Sequence, residues 1–269
     1  MSLTQVTTGL PISTLSPFSK VLERLIYNQL NSFLEKHDIM YKYQFGFRKG
    51  YSTEQAILEL TDTLKKAMDK RLVTCGLFLD FSKAFDTVNH NILLSKLYHY
   101  GIRGTPFKWF ENYLRNRTQF VKIGNTKSNC ETITCGIPQG STLGPLLFLL
   151  YINDLPNCSN KLSFRIFADD TNMFYTSANL QHLESVMNEE LKLVFDYCTT
   201  NKLSINLTKT NYMVISSSRL GGHIHIHKIE RKSEIKYLGV FIDQNLHWGP
   251  QIQHINNKLM RNIGIITKL

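Results

Sequence analysis

Three aspartates stand where this chain is most apolar. Asp80 closes the run RLVTCGLFLD, and Asp169 and Asp170 sit side by side within FRIFADDTNMF. Two carboxylates about 4 Å apart repel by roughly 4 kcal/mol at an effective dielectric of about 20. Such a placement is sustained by a bound cation or by shared protons. Ligands that are all aspartate oxygens favour magnesium, which keeps several waters and takes one or two carboxylates plus substrate phosphates. Two such ions, about 3.5–4 Å apart, polarise an attacking hydroxyl and stabilise the leaving oxygen of an in-line phosphoryl displacement. Alone, Asp169-Asp170 reads as readily as an Asx turn. Asp80, at the end of a second apolar strand, makes the three acids a candidate metal site.

The patterning supplies elements to carry these acids. PFSKVLERLIYNQLNSFLEKHD reads as a helix capped by Ser16, with Val21, Leu22, Leu25, Leu30, Phe33 and Leu34 as its apolar side. TEQAILELTDTLKKAMDKR is a second amphipathic helix, and 71–80 reads as a buried strand. Helices follow at VNHNILLSKLYHYG, which stops at Gly101, and at PFKWFENYLRNR, with Phe107, Phe110 and Leu114 in its stripe. A hairpin is expected around Gly124-Asn125, then an apolar helix opening at Ser141. The hairpin FRIFADDTNMFY precedes a long helix over NLQHLESVMNEELKLVFDYCTTNK and a strand NYMVISS. The tail reads as short strands, HIHIHK and then IKYLGVFID. Helices and strands mix without βαβ alternation, which argues for an α+β fold with helices packed on one face of an antiparallel sheet.

The chain has 269 residues, 42% of them hydrophobic, enough for one large domain or two lobes. Lys and Arg number 31 against 21 acids, a net +10 that favours a polyanionic partner. The five cysteines form no Cys-x-x-Cys pair, which points to reduced thiols and an intracellular location, nucleus or cytoplasm unspecified. Cys130 and Cys135, on a hairpin arm, read as core thiols. The run PLLFLLYI (145–152) is too short to cross a bilayer and reads as core. His223, His225 and His227 alternate in HIHIH and fall on one face of an extended segment. Three imidazoles suit zinc, but with no fourth ligand nearby an exposed polar face is the better reading.

Five segments in order, LDFSKAFD, GIPQGSTLGPLLFLLYINDLP, FADD, LSINLTKT and YLGV, resemble the consecutive palm motifs of reverse transcriptases, most closely those of non-LTR retrotransposons. PISTLSPFSKVLERL and QFGFRKGYSTEQAI resemble that family's fingers motifs. The resemblance implies a right-hand polymerase palm with a small helical fingers lobe and a thumb largely absent. It divides the chain into a fingers-like part (1–72), a palm (73–218), and a primer-grip hairpin with the start of a truncated thumb (219–269). Residues 11–242 then read as one reverse transcriptase domain. Magnesium is the implied cofactor, with manganese as its substitute; RNA template, DNA primer and deoxynucleotides are the implied partners, without a membrane.

Residue by residue, the resemblance makes Asp80 and Asp169 the principal metal ligands and Asp170 the adjacent acid. Phe85 matches the aromatic gate that leaves no room for a ribose 2′-OH, beside Phe81 in the nucleotide site. Gln139 and Gly140 match the element near incoming nucleotide and template. Lys209 matches a lysine serving the leaving pyrophosphate, where a cation offsets developing charge. Tyr237, Leu238 and Gly239 match the segment that holds the primer end. Arg48 and Lys49, in a loop bracketed by Gly46 and Gly50, suit phosphate contacts.

The chain departs from the family at Leu10, where an arginine usually precedes Pro-Ile-Ser in the fingers. With little chain left for a thumb, an excised, catalytically dead fragment that binds nucleic acid is the first rival to an active polymerase. A palm-fold nucleotide cyclase is the second. It has no use for the PQG and Lys209 segments.

Overall fold

The computed structural model describes residues 16–115, 117–138, 140–217 and 222–266. Leu10 and Gln139 lie outside them. The elements run α1 (Pro17–Lys36), α2 (Thr53–Asp69), β1 (Val73–Leu79), α3 (His90–His99), α4 (Gly104–Leu114), β2 (Thr118–Gln119), β3 (Lys122–Ile123), β4 (Thr126–Lys127), β5 (Glu131–Thr132) and α5 (Gly144–Ile152). After a 3-10 turn come β6 (Ser163–Phe167), β7 (Asp170–Ser177), α6 (Leu180–Thr200), β8 (Asn211–Ile215), β9 (Glu230–Arg231), β10 (Glu234–Tyr237), β11 (Val240–Asp243) and α7 (Gly249–Ile266). They form two compact units. One comprises Met1–Lys42, Lys83–Asp154 and Thr200–Ser204; the other comprises Tyr43–Ser82, Leu155–Thr199 and Ile205–Leu269.

In the first unit α1 starts as its sequence dictates, with Ser16 accepting a hydrogen bond from the Ser19 amide and Pro17 in the first turn. Its expected apolar side is only half used. Leu30 and Leu34 are buried, whereas Val21, Leu22 and Leu25 are exposed and Glu23 is buried instead. That burial is sustained by two donors. The Tyr113 hydroxyl lies 2.8 Å from Glu23 Oε1, and the Thr142 amide lies 2.7 Å from Oε2. Burial, reinforced by the Glu23 charge, pushes the Tyr113 phenol up to about 12. α5 is buried on every side, the core helix its composition implies, and packs on α3. Ser141 opens it by accepting from the Gly144 amide at 2.9 Å.

The hairpin expected at Gly124-Asn125 forms between β3 and β4, framed by β2 and β5. Every residue of these short strands is exposed. That corrects the reading of Cys130 and Cys135 as core thiols: both are exposed, as are the strands of the arm and its apolar residues Phe120, Val121 and Ile123. Cys75 and Cys198 are buried, and burial pushes each thiol up to about 12. In the folded protein a thiol reagent is expected to modify Cys130 and Cys135 within minutes and leave Cys75 and Cys198 untouched until denaturant is added, as mass mapping would show.

The second unit is built on a five-stranded sheet in the order β6-β7-β1-β8-β9. Its neighbours run antiparallel except β8 and β9, which are parallel. β1 is central and buried at every position, as its unbroken apolar run requires. One face of the sheet, with Phe78, Phe174, Met213 and Ile215, packs with Leu60 and Leu64 of α2 and with Tyr237, Ile242 and Leu246. α6 buries the helical stripe Leu183, Val186, Met187, Leu191 and Val194.

Two tail readings change. HIHIH joins no strand. Asn188 of α6 fixes it instead, donating to the His225 carbonyl at 2.8 Å and accepting from the His227 amide at 3.0 Å. Ile224 and Ile226 turn inward, and the three histidines face out. α7 was not expected among short strands. Its start is set by Asp243, whose carboxylate accepts from the amides of Asn245, His247 and Trp248. Among the described residues no helix is long and apolar enough to cross a membrane.

Candidate active site

The acids meet because of strand register. β1 pairs with β7 so that Leu79 faces Thr171, and β6 pairs with β7 so that Phe167 faces Asp170. Asp80 is the next residue after Leu79, which carries it to the level of Asp170. Ala168 and Asp169 form the two-residue turn between β6 and β7. Ala168 has φ +58°, a left-handed conformation that such tight hairpins usually assign to glycine.

The segment after α6 fixes the other side of Asp80. The Asn206 amide donates to the Asp80 carbonyl at 2.8 Å, and the Asp80 amide donates to Thr210 Oγ1 at 3.3 Å. Phe81, buried, bridges to Ile205. Lys209 therefore sits near the acids, its Nζ 4.0 Å from Asp80 Oδ2, with 69% of its side chain exposed. A pair so open adds little to stability.

The carboxylates feel one another. Asp169 is raised by burial, with the Asp80 charge adding and its own backbone hydrogen bond opposing. Asp170 is pushed up to about 6 by burial, then by the charges of Asp169 and Asp80. Both side chains are exposed by area, so water screens part of this effect. Asp80, Asp169 and Asp170 together form a donor set of hard oxygens suited to a divalent cation. Among the described residues no three His, Cys, Asp or Glu side chains are gathered closely enough to cage an ion. The acids thus interact through charge and share one strand edge.

A cleft of about 330 Å³ opens beside them, lined by Asp80, Asp170, Lys209, Asn211, Tyr237 and Leu238. Tyr237 ends β10, and Leu238 and Gly239 form the tight turn into β11, both with positive φ. The Tyr237 ring is buried against Phe78, and among the described residues its hydroxyl has no hydrogen-bond partner. Burial raises that phenol strongly. In this hairpin Gly239 is exposed, while Leu238 is half-buried against the same core.

Arg48 and Lys49 also belong to this unit. Lys49 is exposed. Arg48 is half-buried: it donates to the Gln44 carbonyl at 3.1 Å and lies over the Tyr51 ring at 4.2 Å. Phe85 and Gly140 belong to the first unit. Phe85 is half-buried and stacks on Phe148 at 4.6 Å; Gly140 has φ +103°.

Sequence reading missed a buried ion pair that braces the acid-bearing hairpin. Arg165 of β6, almost wholly buried, makes two hydrogen bonds to Glu59 of α2, one of them 2.7 Å from Nη2 to Oε1. It also donates to the Ser163 hydroxyl and the Phe164 carbonyl and lies over the Tyr43 ring at 4.0 Å. The signal was available: an arginine inside FRIF requires a partner wherever that strand is buried.

Comparison with known proteins agrees with this architecture. Residues 9–242 match the family described as reverse transcriptase (RNA-dependent DNA polymerase). The chain is 32% identical over 262 residues, 90% of its length, to the probable RNA-directed DNA polymerase from transposon BS of Drosophila melanogaster. It is 28% identical over 279 residues, 99% of its length, to the RNA-directed DNA polymerase from mobile element jockey of the same species. It spans only 28% and 30% of those two relatives. A solved structure of apo telomerase from Candida tropicalis shares the fold, with a TM-score of 0.58 at 13% identity, covering 84% of this chain and 40% of that one. The α+β palm expected from the sequence is therefore the fold observed. With its motifs in order on that fold, the chain belongs to the reverse transcriptase family, in the branch found in non-LTR retrotransposons.

Proposed function

We propose that this chain carries the centre of an RNA-directed DNA polymerase, which adds deoxynucleotides to a primer 3′-OH opposite an RNA template. The observation that supports this reading most directly is the delivery of Asp80, Asp169 and Asp170 to one strand edge, where the Asp80 charge raises both members of the pair. Asp80, Asp169 and Asp170 would hold magnesium or manganese. When bound, the metal would make the primer hydroxyl a better nucleophile and neutralise charge on the leaving oxygen.

The other residues take roles around that centre. Lys209, beside Asp80 and mostly exposed, is free of a strong internal pairing and can offset charge on departing pyrophosphate. The turn Leu238-Gly239, next to the cleft, suits the primer end, while Tyr237 anchors it from the core. Phe81 and Phe85 take the sugar, Phe85 excluding a 2′-OH, and Gln139 and Gly140 contact nucleotide and template. Lys49 reaches template phosphate, with Arg48 stiffening its loop. In this reading 1–72 serve as fingers, 73–218 as palm, and 219–269 carry the primer-grip hairpin. The +10 charge suits a nucleic-acid partner.

Primer extension tests the proposal. The chain is expected to lengthen a labelled DNA primer on an RNA template only with magnesium or manganese present, and the Asp169→Ala variant is expected to give no product. Salt-dependent RNA binding by the parent chain, without extension at any protein concentration, would instead assign it a binding role and overturn the polymerase reading.

A further inference from the structure

The turn that carries Asp169 is held from outside the sheet. Residues 43–45 lie along β6, the edge strand. The Ile166 amide donates to the Tyr43 carbonyl at 3.0 Å, and the Phe45 amide donates to the Ile166 carbonyl at 2.8 Å. Between them Gln44 is 1% exposed. Its Oε1 accepts from the Gly46 amide at 2.9 Å and from the Ala168 amide at 3.1 Å. Ala168 is the left-handed residue of the acidic turn and immediately precedes Asp169.

We propose that Gln44 is a positioning residue for the acid pair, whose side-chain oxygen fixes the peptide of Ala168 and thereby the direction in which Asp169 and Asp170 leave the sheet. A non-glycine residue at positive φ persists only where its surroundings over-determine it. Here those surroundings are one buried acceptor shared by two amides and a strand edge closed by residues 43–45. An amide suits the position because it supplies that acceptor without adding a fourth negative charge next to Asp80, Asp169 and Asp170.

The proposal rests on the polymerase reading for its kinetic consequence, and two readouts keep the two apart. The first is amide exchange at Ala168 in the full chain, followed by nuclear magnetic resonance with nitrogen-15 alanine and assigned with an Ala168→Gly variant. Gln44→Met, similar in volume but without the acceptor, is expected to speed exchange at Ala168 about tenfold, as loss of one hydrogen bond implies. Gln44→Glu, which keeps an acceptor oxygen, is expected to leave it within about twofold. The second readout is primer extension at a temperature where all variants are folded by circular dichroism. Gln44→Met is expected to lower kcat about tenfold or more, with KM for the nucleotide nearly unchanged.

Unchanged Ala168 exchange in Gln44→Met would overturn the clamp. Faster exchange with kcat unaltered would reduce Gln44 to a structural residue and overturn the positioning role. A parent chain that shows Ala168 exchange responding to Gln44→Met but extends no primer would defeat the polymerase reading and leave the clamp on the acid turn established.

Discussion

Replacing Gly46 with alanine is expected to cost this protein about 3–5 kcal/mol and, in the polymerase reading, its primer extension. A Cβ built at Gly46 lies 2.3 Å from the Ala168 amide nitrogen, 2.9 Å from the Phe167 carbonyl carbon and 3.1 Å from the Ala168 Cα. These are backbone atoms of the acidic hairpin and cannot rotate aside as a side chain would. Relief requires residues 43–46 to withdraw from β6. That sacrifices the Gln44 oxygen on Ala168 and the Phe45 bond to Ile166, each worth about 1 kcal/mol, on top of the overpacking strain. The sum is a large part of the stability of an ordinary domain, about 5–15 kcal/mol.

Gly50, four residues on, supplies the control. It has φ +81° but open space where a Cβ would go, so Gly50→Ala is expected to cost only the backbone penalty of about 1 kcal/mol. Denaturant midpoints for the two variants measure the contrast. Equal losses would show that loop conformation, rather than close approach to the acid turn, explains Gly46.

Asp170→Asn is expected to move stability and activity in opposite directions. Burial and the charges of Asp169 and Asp80 push Asp170 up to about 6, above its unfolded value of 3.8. A carboxyl raised on folding opposes folding wherever it is ionised, so the penalty is full above pH 6 and absent below about pH 4. Removing the charge is therefore expected to stabilise the metal-free chain at pH 7.5 by about 1 kcal/mol, part of the nominal effect being screened because the side chain is exposed. For a chain of this size that is a rise of about 2–4 °C in Tm. The gain is expected to vanish as the pH falls toward 4. In the polymerase reading, primer extension is expected to drop about 100-fold or more, because the same charge that opposes folding is the one a divalent cation would need as a ligand. Thermal melts with a chelator across pH 4–8, together with extension rates, check both halves. An unchanged or lower Tm at pH 7.5 would remove the charge repulsion on which the site depends.

Several elements were legible residue by residue. The apolar run ending at Asp80 marked a buried strand, and the two acids between FRIF and TNMF marked a hairpin turn. Ser16-Pro17 started a helix where such pairs do. Harder to see were features whose meaning depends on a distant partner. Val21, Leu22 and Leu25 have the spacing of a core face, yet Glu23 is the residue buried among them, because Tyr113 and Thr142 supply its hydrogen bonds. α7 went unread behind a tail of short strands, although Pro250 and the spacing of Ile252, Ile255 and Leu259 carried a helical signal. Cys130 and Cys135 looked internal, but the strands of their arm are exposed.

The sequence by itself determined which chemistry the chain is equipped for: aspartates in apolar strands, a glutamine-phenylalanine-glycine loop, and a lysine after Asn-Leu-Thr, all in the order of one family. Local pattern suffices there, because side-chain type and strand period are properties of neighbouring residues. Only the tertiary structure decided which of these groups share a place. Asp80 reaches the level of Asp170 through the register of β1 on β7, and Lys209 reaches Asp80 through the bonds of Asn206 and Thr210. Gln44 reaches Ala168 because residues 43–45 close the edge of β6. These contacts join residues far apart along the chain, and their geometry is fixed by backbone hydrogen bonds that no local pattern records.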